Sequence, residues 1–205
     1  MSTAMEGQAK EKIIAAALEH FYYTGFSGTT IRQIATKAGV NQALISYYFG
    51  GKKGLLEALM VQFYEDFFKA IDGASEKNEL LTPMDKLIQI MQTAFDYLFE
   101  QYKMTRFIYR ELTLDSTLIR EVMTIYLNKE KYYYANILEE IQEIEEGPAF
   151  DVEMMVLQLT NALYMPFLQP QAIREVYHIE PTGEEFKKRY FLQLKLYIQT
   201  LFSLR

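Results

Sequence analysis

Apolar residues in this chain return every three or four positions and nowhere settle into alternation, which confines the fold to helices packed on helices. Ile13, Ile14, Ala17, Leu18, Phe21 and Tyr22 set the pattern, and Leu87, Met91, Phe95 and Leu98 repeat it. Val152, Met155, Leu159 and Ala162 form another stripe, and Phe186, Tyr190, Leu194, Tyr197 and Leu201 form one near the C-terminus. Breakers are scarce: 10 Gly and 5 Pro in 205 residues, most of them between the periodic runs. The expectation is an all-α chain of roughly nine helices, without repeats or low-complexity tracts. Its 50% hydrophobic and 15% aromatic content is enough to fill a sizeable core and excludes a mainly disordered chain.

Residues with capping chemistry divide the pattern into elements. Gly25 is placed to stop the first helix. Thr30 and Gln33 have capping-box spacing, so a short helix is expected from Thr30 to about Lys37, stopping at Gly39. Asn41 is placed to cap a second short helix ending near Tyr48, before Gly50 and Gly51. A longer helix should run from about Lys52 to Asp72, followed by a linker from Ala74 to Glu79. Thr82 and Pro83 read as an N-cap with proline at the first helical position. Asp115 or Ser116 starts a further helix, Gly147-Pro148 breaks it, and Pro166 bends or ends the next. Thr182 and Glu185 suggest a second capping box.

Charge separates the ends of the chain. The formal net charge is -6, which argues against indiscriminate coating of nucleic acid. Yet residues 1–53 carry six bases against three acids, leaving -9 on the remainder. Without cysteine there is neither a disulfide framework nor a thiolate metal site, and His20 and His178 are far apart in sequence. No phosphate-cradling glycine loop follows a strand. No catalytic residue, metal or cofactor is therefore expected. The acidic run from Ile137 to Glu146 reads as a solvated face. The N-terminus lacks a long uncharged apolar stretch, so a soluble cytoplasmic chain without a membrane segment is expected.

Three short helices, with a turn at Ala38-Gly39-Val40 between the second and third, make a helix-turn-helix pattern, in which one helix braces on the DNA backbone and the other enters the major groove. Ile31, Ile34, Ala35, Val40, Leu44, Ile45 and Phe49 would hold the pair together. That leaves Arg32, Gln42, Ser46 and Tyr47 outside, polar and able to reach bases or phosphates.

The stretch GTTIRQIATKAGVNQALISYYFGGKKGLLEAL, within a match from about Lys10 to Tyr64, resembles the DNA-binding domain of TetR-family transcriptional regulators. The resemblance implies a helix-turn-helix domain over residues 8–68 and a larger helical regulatory and dimerisation domain over 69–205. It implies base-edge contacts for Gln42 and Ala43, a backbone or base contact for Arg32, and phosphate contacts for Tyr47, Tyr48 and Lys52. Thr30 would cap its helix and turn its own amide to a phosphate. Ser46, Tyr48 and Lys53 depart from the residues common in the family, and Lys53 either adds a phosphate contact or points to solvent.

The same resemblance implies a repressor acting as a homodimer on a palindromic double-stranded operator. Its last two long helices would pair with their twins through Val152, Met155, Leu159 and Ala162, and through Tyr190, Leu194, Tyr197 and Leu201. Periodicity alone equally allows these stripes to be intramolecular core. A small effector would sit among Tyr97, Phe107, Arg110, Tyr134 and Tyr164, with Arg110 pairing an anionic one, although tyrosines at helical spacing also suit a core. The stretch from Ile45 to Glu57 is further similar to RefZ-like members of Bacillus-type bacteria. That implies an alternative: a DNA-bound regulator of cell division with the protein FtsZ as partner.

Overall fold

The computed structural model describes residues 2–76, 81–114, 117–144 and 149–203, and these contain ten α-helices and no strand. They are α1 (Ser2–Gly28), α2 (Ile31–Ala38), α3 (Gln42–Phe49), α4 (Lys52–Glu76) and α5 (Pro83–Glu100), then α6 (Tyr102–Thr113), α7 (Thr117–Ile144), α8 (Val152–Leu168), α9 (Pro170–Tyr177) and α10 (Glu184–Ser203). The expected start at Asp115 or Ser116, the Gly147-Pro148 break and residues 77–80 of the linker lie outside the described residues.

Local chemistry sets most helix ends as expected. Thr30 forms the full capping box with Gln33, Asn41 Oδ1 accepts from the Ala43 amide at 2.8 Å, and Thr82 Oγ1 accepts from the Asp85 amide at 3.1 Å. Gly39 and Gly50 close α2 and α3 in the left-handed conformation (φ 66° and 70°), where a Cβ is penalised. Gly25, at φ 75° and ψ 170°, interrupts α1.

Three expectations fail in whole or in part. α4 continues past Gly73, since an isolated glycine costs a helix only about 1 kcal/mol. Pro166 does not end α8, which runs on to Leu168 before Pro170 opens the additional short helix α9. Thr182 makes no capping box: its hydroxyl donates to Glu180 Oε1 at 2.7 Å, and Glu180 also receives Arg174 through both of its oxygens at 2.9 Å.

The chain forms two compact units. The first comprises residues 1–65 and 103–123, the second 66–102 and 124–205. In the first, Ile13, Ala17, Phe21, Ile34, Ile45, Leu55 and Leu56 are sealed from solvent, and Phe107 of α6 stacks on Phe21 with centroids 5.3 Å apart. In the second, Phe95 of α5 is the aromatic centre, with Phe167 of α8 and Tyr190 and Phe191 of α10 within 5.5–6.1 Å. α8 and α10 run antiparallel: Tyr190 Oη donates to the Ala162 carbonyl at 2.6 Å, and twelve residues away along each segment the rings of Phe150 and Phe202 meet at 5.6 Å.

Candidate nucleic-acid interface

The interface is built on α3, whose rotation about its axis is fixed at both ends by the Asn41 cap and the left-handed Gly50. Ile45 is completely buried, and that single anchor turns Gln42, Ala43, Ser46 and Tyr47 outward. Tyr47 is the most open aromatic, 78% exposed. Arg32 on α2 is exposed and has no hydrogen bond or ion pair among the described residues. Thr30 behaves differently from its expected role. Its amide donates to Gln33 Oε1 at 2.8 Å, so the capping box has already taken the N–H expected to meet a phosphate.

The two lysines at the start of α4 part company. Lys52 Nζ donates to the Phe26 carbonyl at 2.8 Å and the Thr29 carbonyl at 2.7 Å, and lies 4.4 Å from the centre of the Phe26 ring. It ties the α1–α2 connection to α4 and keeps one N–H of three for anything else. Lys53 is exposed, with only a loose approach of 3.9 Å to Glu57.

Sequence reasoning missed two residues here. Gly54 lies inside α4, and a Cβ on it would fall 1.8 Å from the Phe49 carbonyl oxygen, so its absence lets α4 start directly under the end of α3. A glycine inside a helical pattern was the available signal. Lys10 of α1 places its ammonium 5.1 Å from the ring centre of half-buried Tyr48, which in turn meets Tyr47 edge-on at 5.1 Å. This aromatic pair therefore carries a cation from outside the helix-turn-helix, which no local pattern announces.

The five expected effector residues do not form one group. Phe107 is fully buried against Phe21. Arg110 is not free for an anion: its guanidinium donates to the Phe21 carbonyl at 2.8 Å and the Tyr22 carbonyl at 2.9 Å, near the end of the first part of α1. The neighbouring Glu111 Oε1 accepts from the Phe26 amide at 3.4 Å. In the second unit, Tyr97 lines a groove of about 570 Å³ between α4 and α5 with Asp66, Lys69 and Gln89. Burial, helped by the charge of Asp66, raises its phenol well above the usual range. Tyr134 and Tyr164 do share surroundings, around a residue the sequence did not flag. Glu130 is 2% exposed and accepts a hydrogen bond from Tyr164 Oη. Burial pushes its carboxyl up to about 7 against the partial relief of that bond. The signal was an acid on the buried stripe of Met123, Tyr134, Leu138 and Ile141.

The expected dimer stripes divide between core and surface. Leu159 and Leu194 are core, and Val152, Met155, Ala162, Tyr190 and Leu201 are half-buried, while Tyr197 is exposed. The outward faces carry other apolar residues: Met154, Leu157, Met165 and Leu168 on α8, and Leu192 and Leu196 beside Tyr197 on α10.

A capped bracing helix, a left-handed glycine turn and a second helix that presents polar side chains from one buried anchor define a helix-turn-helix DNA-binding regulator. The chain belongs to the tetR family of bacterial regulatory proteins, whose family model matches residues 13–59. It is 42% identical over 198 residues to the "Probable HTH-type transcriptional regulator YttP" of Bacillus subtilis (strain 168), covering 97% of this chain and 96% of that one. It is also 42% identical over 92 residues to the "HTH-type transcriptional regulator BetI 1" of Chromohalobacter salexigens, 45% of each chain. The fold is that of the TetR family transcriptional regulator PfmR from Thermus thermophilus (TM-score 0.71, 18% identity, 93% of this chain and 97% of that one). A TetR-like transcriptional regulator from Rhodococcus sp. RHA1 shares it equally (TM-score 0.72, 18% identity, 93% of each). Such proteins are transcriptional regulators that bind DNA, not enzymes. Among the described residues no helix is long and apolar enough to cross a membrane.

Proposed function

We propose that this chain is a sequence-specific transcriptional repressor that binds a palindromic operator as a cytoplasmic, nucleoid-associated homodimer and is released by a small effector. The observation that carries this role is the single-anchor geometry of α3, where sealed Ile45 turns Gln42, Ala43, Ser46 and Tyr47 to one open face. Gln42 and Ala43 then read base edges in the major groove, and Arg32 and Ser46 contact the backbone or a neighbouring base. Tyr47, Tyr48, Lys53 and the spare N–H of Lys52 hold phosphates, and Thr30 contributes by fixing the start of α2. Residues 8–68 serve as the DNA-binding domain and 69–205 as the regulatory one.

Dimerisation rests on the outward apolar faces of α8 and α10, where Leu157, Leu192 and Leu196 are about half exposed (53%, 54% and 47%). Several half-exposed leucines on the outward faces of two helices suit a partner, and two half-sites of a palindrome call for a second copy. An effector in the body would favour a dimer whose recognition helices no longer fit successive grooves. Its influence is bounded by its differential affinity for the two states.

Binding of Gln42→Ala to a set of single-base operator variants tests the role. A bidentate contact predicts a loss of about 1–3 kcal/mol on the preferred site and relaxed discrimination at one base pair. Undiminished discrimination removes Gln42 from base reading. The RefZ-like alternative, acting on FtsZ, draws its support from Ile45 to Glu57 only, and mapping bound sites across a genome separates it from local repression.

A further inference from the structure

Gly25 breaks α1 at φ 75° and ψ 170°, and the break undoes one hydrogen bond of the helix. In a continuous helix the Phe26 amide would donate to the Tyr22 carbonyl, four residues back. Two adjacent residues of α6, within the same compact unit, supply a partner for each half. The Arg110 guanidinium donates to the Tyr22 carbonyl at 2.9 Å and to the Phe21 carbonyl at 2.8 Å, and Glu111 Oε1 accepts from the Phe26 amide at 3.4 Å. The charges suit the break: a cation meets carbonyls at a helix end, and an acid meets an amide just past it. Glu111 is 5% exposed and lies 3.6 Å from Arg110, so its buried charge is answered. A Cβ on Gly25 would come to 3.0 Å from Glu111 Oε1, so the glycine serves both the positive φ and the approach of the acid.

Beyond the break the chain leads straight to the recognition helix. The Thr29 hydroxyl donates to the Gly25 carbonyl at 2.7 Å, Lys52 of α4 holds the carbonyls of Phe26 and Thr29, and Thr30 then caps α2. The direction in which the chain leaves α1 is thus handed to α2 and, across the Gly39 turn, to α3. We propose that Arg110 and Glu111 are positioning residues for DNA reading: together they replace the broken hydrogen bond and set the exit from α1, and with it the placement of Gln42 and Ala43 in the groove. This rests on the base-reading role given to α3 above and adds to it two residues outside the helix-turn-helix. Base-edge hydrogen bonds demand alignment, whereas phosphate contacts carry no sequence information. Loss of the pair therefore falls on discrimination before it falls on general affinity.

The test uses the full-length protein and two probes: the duplex it enriches from a random-sequence pool, and a shuffled duplex of the same length and composition. Arg110→Met and Glu111→Leu should each weaken binding of the enriched duplex about tenfold, the scale of losing a charge-assisted hydrogen bond, and leave the shuffled duplex nearly unchanged. Glu111→Gln keeps an oxygen for the Phe26 amide and should restore most of the discrimination. Without DNA, Glu111→Leu should lose hydrogen-exchange protection at the Phe26 amide and keep it at Leu55 and Leu56, which lie in the core of the same unit. Parent-like discrimination in both Arg110→Met and Glu111→Leu overturns the positioning role. An equal loss on both duplexes, with protection also lost at Leu55 and Leu56, overturns it too, because that marks a pair that only stabilises the fold. Retained protection at Phe26 in Glu111→Leu, or no recovery in Glu111→Gln, overturns the assignment of Glu111. A parent protein that enriches no sequence overturns base reading itself, so the two failures are distinguishable.

Discussion

Helices α3 and α8 both carry many apolar residues, but only α3 declares in its sequence which face it buries. α3 is eight residues long, capped by Asn41 and closed by Gly50, and its one fully buried side chain is Ile45. Turn chemistry fixes where it starts and therefore how it is rotated, so the outward set Gln42, Ser46 and Tyr47 follows from counting. α8 is seventeen residues long and apolar on two sides. The stripe through Leu159 and the stripe through Leu157 are equally convincing as periodic patterns, and periodicity cannot say which one faces the protein's own core. The structure turns Leu159 inward (1% exposed) and leaves Leu157 at 53%. A helix apolar on two sides needs two partners, and the second unit supplies one.

The largest effect expected from this contrast comes from substituting the two leucines separately. In the proposed two-fold interface Leu157→Asp introduces a charge twice, each copy forfeiting roughly 1.5–3 kcal/mol of apolar burial before any desolvation of the charge. Sedimentation should then find monomer where the parent is dimer, with the helical circular dichroism intact. Leu159→Ala should instead cost about 2–5 kcal/mol of unfolding free energy and leave each folded chain competent to associate. If Leu157→Asp stays dimeric, the outward stripe is not the interface.

A comparable loss is expected in the first unit from one methyl group. Gly54→Ala drives a Cβ to 1.8 Å from the Phe49 carbonyl, and the obstacle is backbone, which has no rotamer to yield. Overpacking of this kind costs about 3 kcal/mol or more. Urea unfolding and operator affinity should both fall, whereas Gly73→Ala, with nothing within 4 Å, should be neutral or slightly stabilising. A tolerated Gly54→Ala would mean that α3 and α4 are not held together as closely as this.

The second unit has a pH dependence of its own. Folding raises the Glu130 carboxyl from an ordinary 4.5 to about 7, so the folded state prefers it protonated. The stability it contributes is full below pH 4.5 and is lost as pH rises through 7, by something on the order of 3 kcal/mol. Chemical denaturation between pH 5 and 8 should show this decline, and Glu130→Gln should flatten it. A slope of the opposite sign would place Glu130 beside a cation.

Most of the fold was legible because caps and glycines are local chemistry: Thr30, Gly39, Asn41, Gly50 and Thr82 each do in the structure what their residue types allow. What escaped is non-local. Arg110 looked like an anion partner because its own helix does not reveal the carbonyls of Phe21 and Tyr22, almost ninety residues earlier, that satisfy it. Glu130 escaped because an acid on a helix reads as solvated until Tyr164 and the core close over it. Of the two outcomes expected at Pro166, an end to the helix is not seen, since buried packing around Pro166 and Phe167 holds α8 on to Leu168.

The smallest effect separates two adjacent lysines that sequence treats alike. Lys52 has two backbone partners at 2.7–2.8 Å, so Lys52→Met should lower the stability of the first unit and weaken binding to every DNA sequence together. Lys53 has no comparable attachment, and its approach to Glu57 at 3.9 Å on the surface contributes little. Lys53→Met should leave unfolding unchanged and reduce the slope of log affinity against log salt by about one unit per protomer, the signature of a single phosphate contact. The unfolding curve thus reports on Lys52 and the salt slope on Lys53. An unchanged slope in Lys53→Met would assign that lysine to solvent and leave phosphate binding at the end of α3 to Tyr47 and to Tyr48 with Lys10 above its ring.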